Sequence, residues 1–224
     1  MDENKNKIIS VLNSRGVRRE QLDSETLKDI ENIISACGTE PIKLVGYWGV
    51  GEKQEPTEID RKALDKLSDI MKMTDDRIKV HLILADKHGE FNGYENDIYL
   101  NKISSIAGER NISTAFLSAI YHEVGLDAAD LTNVSDDIWN KFPECYRCII
   151  EKRAGIHQKK CEASEDAKRY LHMTQVEKQK IGAVYPNCIW FTYGDIKNLK
   201  DLFPRPVISI WPIKRGKSVL PWFS

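Results

Sequence analysis

The run Ile78-Lys-Val-His-Leu-Ile-Leu-Ala-Asp86 is the strongest constraint on the fold. Its second half is solidly apolar, and a strand of that kind has to be covered on both faces. Such a strand belongs in a parallel sheet between layers of helix. Ile42 to Trp48 is a second short, apolar, β-rich run. Between the two, Thr57-Glu-Ile-Asp60 has the spacing of a capping box, and Ile59, Leu64, Leu67, Ile70 and Met71 repeat with helical period behind it. Strand, helix, strand is the logic of a βαβ unit.

The rest of the chain extends that pattern. Lys87 to Gly93 reads as a polar turn and Glu95 to Ala107 as a helix. Ser113 to Ile120 fits a third strand or a helix equally well. Residues 127–182 read as mostly helical. Cys188 to Tyr193 is apolar and aromatic, Asp195 to Phe203 reads as a short helix, and Val207 to Ile213 as a last strand. Towards the N-terminus, Ile8, Ile9 and Leu12 share one helical face. Leu27, Ile30, Ile33 and Ile34 repeat it before Gly38. The expectation is an α/β, three-layer Rossmann-like fold with a mostly parallel central sheet and a helical N-terminal segment. Residues 1–40 would pack on a main domain of residues 41–224.

Charge narrows the classes of partner. Thirty-three Lys and Arg face 34 Asp and Glu, a formal charge of −1, which excludes a wholesale basic nucleic-acid binder but leaves room for a local basic face. No apolar stretch reaches the roughly 18 residues of a membrane span, so no membrane partner is expected. The start, MDENKNK, lacks the apolar run of a signal peptide. Five cysteines, an odd number, point to a reducing cytoplasm.

Ligands of open parallel sheets bind beyond the carboxyl ends of the strands. The turn Gly46-Tyr-Trp-Gly-Val-Gly51 ends the first strand, so Gly46, Tyr47, Trp48, Gly49 and Gly51 are candidate substrate-binding residues, with Lys53 adding a charge. The spacing is neither GxGxxG nor GxxxxGK[ST], and a tight turn without ligand is the plain alternative. Asp86 and His88 end the strongest strand and are the candidate catalytic pair, for proton transfer or for orienting a substrate. Asn92 and Tyr94 would line the same rim. Tyr121-His122-Glu123 offers further acid–base groups. Trp190, Tyr193 and Trp211 form either an aromatic wall or core. Cys145, Cys148, His157 and Cys161 are the right residue types for zinc, but their spacing matches no established zinc pattern, so no metal is expected and partly buried free thiols are the alternative. The residues leave the cofactor undetermined, a nucleotide at the Gly-rich turn being one alternative.

Leu84-Ala-Asp-Lys-His88-Gly-Glu-Phe-Asn92 resembles the LADxHAxLN stretch after the second strand of tyrosyl-tRNA synthetase catalytic domains. Ala183-Val-Tyr185-Pro186 resembles the AxxYPxxQ segment of that family, with Trp190 near the place of the glutamine. Val207-Ile-Ser-Ile-Trp-Pro is similar to the strand preceding the KMSKS loop, and Lys214-Arg-Gly-Lys217-Ser218 is similar to that loop. Between Trp48 and Asp60 there is no histidine, so the HIGH-type ATP motif is missing and adenylate formation by the usual route is not expected. Cyclodipeptide synthases share this size and lack those ATP motifs. The resemblance implies an aminoacyl substrate and a tRNA partner. It implies that Tyr185 or Tyr193 contacts the substrate side chain. It also implies that Lys152, Arg153, Lys159 and Lys160 attract RNA phosphate, with Lys214 and Lys217 as further phosphate contacts. The turn from Gly46 to Gly51 holds no serine, which excludes the covalent aminoacyl-serine at that place. Two other readings stand beside this one: a small-molecule biosynthetic enzyme, with or without a nucleotide, that uses no tRNA, and a non-catalytic binding protein on a synthetase-like fold.

Overall fold

The computed structural model of the chain describes residues 2–18, 21–49, 54–91, 93, 95–127, 130, 131, 139–145, 147, 148, 150, 151, 163–193 and 200–210. Two helices lead, α1 (Asp2–Leu12) and α2 (Ser24–Cys37). Then come β1 (Ile42–Trp48), α3 (Glu58–Met73), β2 (Ile78–Leu84), α4 (Asp86–Phe91), α5 (Asp97–Gly108), β3 (Ser113–Phe116) and α6 (Leu117–Val124). A long helix α7 (Ala163–Val184), strand β4 (Ile189–Thr192), a 3-10 turn (Lys200–Leu202) and β5 (Val207–Ser209) complete the described elements.

The sheet has five strands in the order β3-β2-β1-β4-β5, and every neighbouring pair is parallel. The chain moves outward from β1 to β3, then returns to the other side of β1. That reversal puts a topological switch point between β1 and β4. Alternation along the strands divides the core in two. Leu44 and Trp48 of β1, Val80, Leu82 and Leu84 of β2, and Phe191 of β4 pack under α1, α2, α3 and α5. Val45, Ile83 and Trp190 pack on the other face against α6 and α7. The fold is therefore a three-layer, Rossmann-like α/β fold.

Local chemistry explains the ends of the helices. Thr57 caps α3 by accepting from the Asp60 amide, while the Asp60 carboxylate accepts from Thr57 N at 2.8 Å, so the capping box is formed. The turn out of α3 uses left-handed backbone at Asp75 and Asp76. Asp23 caps α2 by accepting from Thr26 N at 2.8 Å. A hydrogen bond from Lys200, then that Thr26 amide, hold its carboxyl well below the usual range. Ile8, Leu12 and Ile30 belong to the same cluster as Leu44 and Trp48.

Two segments differ from their sequence reading, and a third is described only in part. The expected polar turn after β2 is instead helix α4, because Gly89 N donates to Ala85 O at 3.2 Å and His88 is drawn into the interior. Ser113 to Ile120 is neither all strand nor all helix. It is β3 followed directly by α6, with the change at Phe116. The last strand is described only over Val207–Ser209, and of the expected helix from Asp195 only the 3-10 turn Lys200–Leu202 falls among the described residues. Among the described residues, no helix is long and apolar enough to cross a membrane.

Candidate functional site

β1 and β2 are in register to their ends, Trp48 beside Leu84, and Ala85 N donates to Trp48 O at 3.0 Å. The chain turns at once into α4, which carries His88 beneath α7. His88 Nε2 lies 2.9 Å from Glu177 Oε1. The contact suits an Nε2–H tautomer donating to the carboxylate oxygen. The Tyr121 hydroxyl of α6 donates to the same oxygen. Tyr47, at the end of β1, closes the group. Its ring lies 5.4 Å from that of His88 and 5.9 Å from that of Trp190. Burial, then the charge and hydrogen bond of Glu177, push the Tyr47 phenol well above its ordinary pKa. The same causes raise Tyr121.

His88, Glu177 and Tyr121 are 2%, 3% and 4% exposed, whereas Tyr47 is partly buried. Three donors therefore converge on one buried carboxylate. Such a group can take a proton at Glu177 and return it through Tyr47 or His88.

Asp86 takes a different position from His88. Its Oδ1 accepts from Ser118 N at 3.1 Å. The residue before α6, Phe116, offers no side-chain cap, so Asp86 supplies one from another element. Asp86 thereby fixes α6, and with it Tyr121, against α4.

The remaining candidates separate by face and by height in the sheet. Trp48 is fully buried on the α3 side, where its Nε1 donates to the Tyr99 hydroxyl at 3.2 Å. Tyr193 meets Trp48 there edge-on, ring centres 5.7 Å apart. Both stand across the sheet from Tyr47 and His88. Gly46 also faces that side, and a Cβ on it would come within 2.5 Å of the Phe191 ring. Close packing of an aromatic ring explains this glycine. Gly49 follows Trp48 at the end of β1.

Tyr185 lies towards the amino ends of the strands, where its hydroxyl is 3.0 Å from His81 Nε2. Ser113 Oγ is 2.8 Å from His81 Nδ1. A neutral imidazole has one donor and one acceptor, and a hydroxyl can answer either. Burial, then the Lys43 charge, hold His81 down to about 4 from the ordinary 6.5. The unfolded chain takes up this proton below about pH 6.5, and the native chain resists it until about 4. Stability tied to His81 is therefore complete above 6.5 and lost as pH falls towards 4, by about 2 kcal/mol after allowance for its partial exposure. Urea midpoints measured across that range should show a steeper acid loss in the native chain than in His81→Gln, and equal slopes would contradict it.

Gly51, Lys53, Asn92, Tyr94, Lys152, Arg153, His157, Lys159, Lys160, Cys161, Trp211, Lys214 and Lys217 lie outside the described residues. Cys145 and Cys148 are exposed free thiols. Among the described residues, no group of three or more His, Cys, Asp or Glu side chains is arranged to hold a metal ion.

No sequence motif marks Glu177, although helical periodicity does. Tyr170, Thr174, Glu177 and Ile181 follow helical spacing and all are buried, so a carboxylate sits on the inward stripe of α7. A buried acid on such a stripe needs donors, and those donors are the site.

No protein-family model matches the chain, and no curated protein matches it. Solved structures do. The chain is similar in fold to the PvcA protein of Pseudomonas aeruginosa. The TM-score is 0.57 at 14% identity, over 98% of this chain and 87% of that one. It is also similar to a tyrosyl-tRNA synthetase of Archaeoglobus fulgidus complexed with L-tyrosine, with TM-score 0.47, 14% identity and coverage of 90% and 57%. A third similar structure is a cyclodipeptide synthase of Candidatus Glomeribacter gigasporarum bound to Phe-tRNAPhe, with TM-score 0.40, 14% identity and coverage of 85% and 95%. The likeness to PvcA speaks for the fold alone, and the two lower scores carry no argument about this chain.

Proposed function

We propose that this chain is an enzyme acting on an amino acid-like or aminoacyl substrate at the carboxyl ends of β1 and β2. Glu177, shared by His88, Tyr121 and Tyr47, is the proton-handling centre. The observation that carries the reading is the 2.9 Å contact between His88 and Glu177, a buried acid–base pair beside the partly buried Tyr47. Tyr47 keeps its proton and would meet the substrate. Glu177 would receive a proton from the substrate amine through that phenol, with His88 holding the carboxylate in place. The finer version of the reading is a tRNA-dependent aminoacyl transfer. It is supported by the motif resemblance around Asp86 to Asn92 and by the basic stretch that contains Lys152, Arg153, Lys159 and Lys160.

The test is a mass-spectrometric comparison of metabolites from cells expressing the intact chain, Glu177→Gln and His88→Ala, with melting curves showing which variants fold. An amino acid-derived product made by the intact chain should fall by about 100-fold or more in folded variants. No change in any such product would reject catalysis. A salt-sensitive mobility shift with bulk tRNA supports the finer version. Stabilisation by nucleotides without any tRNA shift supports the small-molecule alternative instead.

A further inference from the structure

A second hollow lies at the opposite end of the sheet, where β4 and β5 begin. Asp29 and Asn32 of α2 form one wall, Tyr185 and Pro186 of the α7–β4 turn another, and Pro204 and Pro206 a third. Its volume is about 390 Å³, within the range of small-ligand sites. The prolines fix the backbone around it, so little ordering is needed on binding.

The charges around this hollow are mixed, and those on the α2 wall and at the end of α7 favour a cation. Asp29 makes no ion pair among the described residues. The C-terminal end of α7 opens here, and its last turn carries no basic residue, so the partial negative charge of its carbonyls is uncompensated. The Arg205 guanidinium, also on the wall, is paired with Glu25. Burial pushes the Cys188 thiol up to about 12, so it stays neutral. Lys43 Nζ stands 5.7 Å from the centre of the Tyr185 ring and already holds that face, which leaves Asp29 on the α2 wall as the place for a second ammonium.

We propose that the hollow between α2 and the amino ends of β4 and β5 binds a small primary amine cation with an apolar body. The ammonium sits on Asp29, and the body lies against Tyr185 and the prolines. This site is separate from the Glu177 group and does not depend on the function assigned to it.

The experiment is calorimetric titration of the full chain with phenethylamine, and with 2-phenylethanol and 3-phenylpropionate as neutral and anionic counterparts of the same shape. Phenethylamine should bind and the other two should not. Asp29→Asn, with an unchanged melting temperature, should weaken amine binding about tenfold or more. Glu177→Gln should bind the amine as the native chain does. The proposal is overturned if the amine gives no binding heat, if Asp29→Asn binds it equally well, or if 3-phenylpropionate binds better, because Arg205 and Lys43 then dominate. Loss of amine binding in folded Glu177→Gln would move the ligand to the other end of the sheet and equally overturn it.

Discussion

Glu177→Ala is expected to lower the unfolding free energy by about 3–5 kcal/mol. Two donors, His88 Nε2 and the Tyr121 hydroxyl, meet at one carboxylate oxygen, and Tyr47 shares the same group. All but Tyr47 are nearly inaccessible to water. Removing the acceptor leaves buried donors without partners, each at a cost of about 1–3 kcal/mol. Glu177→Gln keeps the shape and one acceptor oxygen, so about 1–2 kcal/mol is expected there, with the activity loss set out above. Urea denaturation of the three chains checks this. A loss below about 1 kcal/mol for Glu177→Ala would mean that the carboxylate does not hold α4, α6 and α7 together.

The second large effect is at Gly46. A methyl group there would stand 2.5 Å from Cε1 and Cζ of Phe191, far inside contact distance. The ring has little freedom to yield, since Phe191 is buried and meets Tyr193 edge-on at 5.4 Å. Alanine relieves the backbone entropy of a strand glycine by about 0.5–1 kcal/mol. Overpacking a close-packed core costs about 1–3 kcal/mol, so the clash wins. Gly46→Ala is therefore expected to lower the melting temperature, and Gly46→Val to do so further. Phe191→Leu should be harmful alone yet recover part of the loss when combined with Gly46→Ala. A double-mutant cycle measures that coupling. Strictly additive effects would show that the ring and the glycine do not meet.

These two residues show how far the sequence reaches. Gly46 is visible in the sequence as part of the turn that ends the first strand, a candidate substrate-binding residue. The partner that approaches is Phe191, in a strand 145 positions further along and beside β1 only because the chain reverses after β3. Asp86 and His88 were visible as polar groups after the best strand. Their roles divide once α6 and α7 are in place: Asp86 caps α6, and His88 faces Glu177. Trp48 and Tyr47 are neighbours in sequence, yet pleating sends them to opposite faces, one into the α3 core and one to the carboxylate.

The sequence by itself determined the layers. Apolar runs at Ile42, Ile78 and Val207 demand burial on both faces, and the helical periods between them supply the cover, because burial pattern and local propensity act along neighbouring residues. Only the tertiary structure decided the site. Its carboxylate lies 89 positions from its histidine and 56 from its tyrosine, and groups that far apart along the chain meet through packing, which no local period encodes.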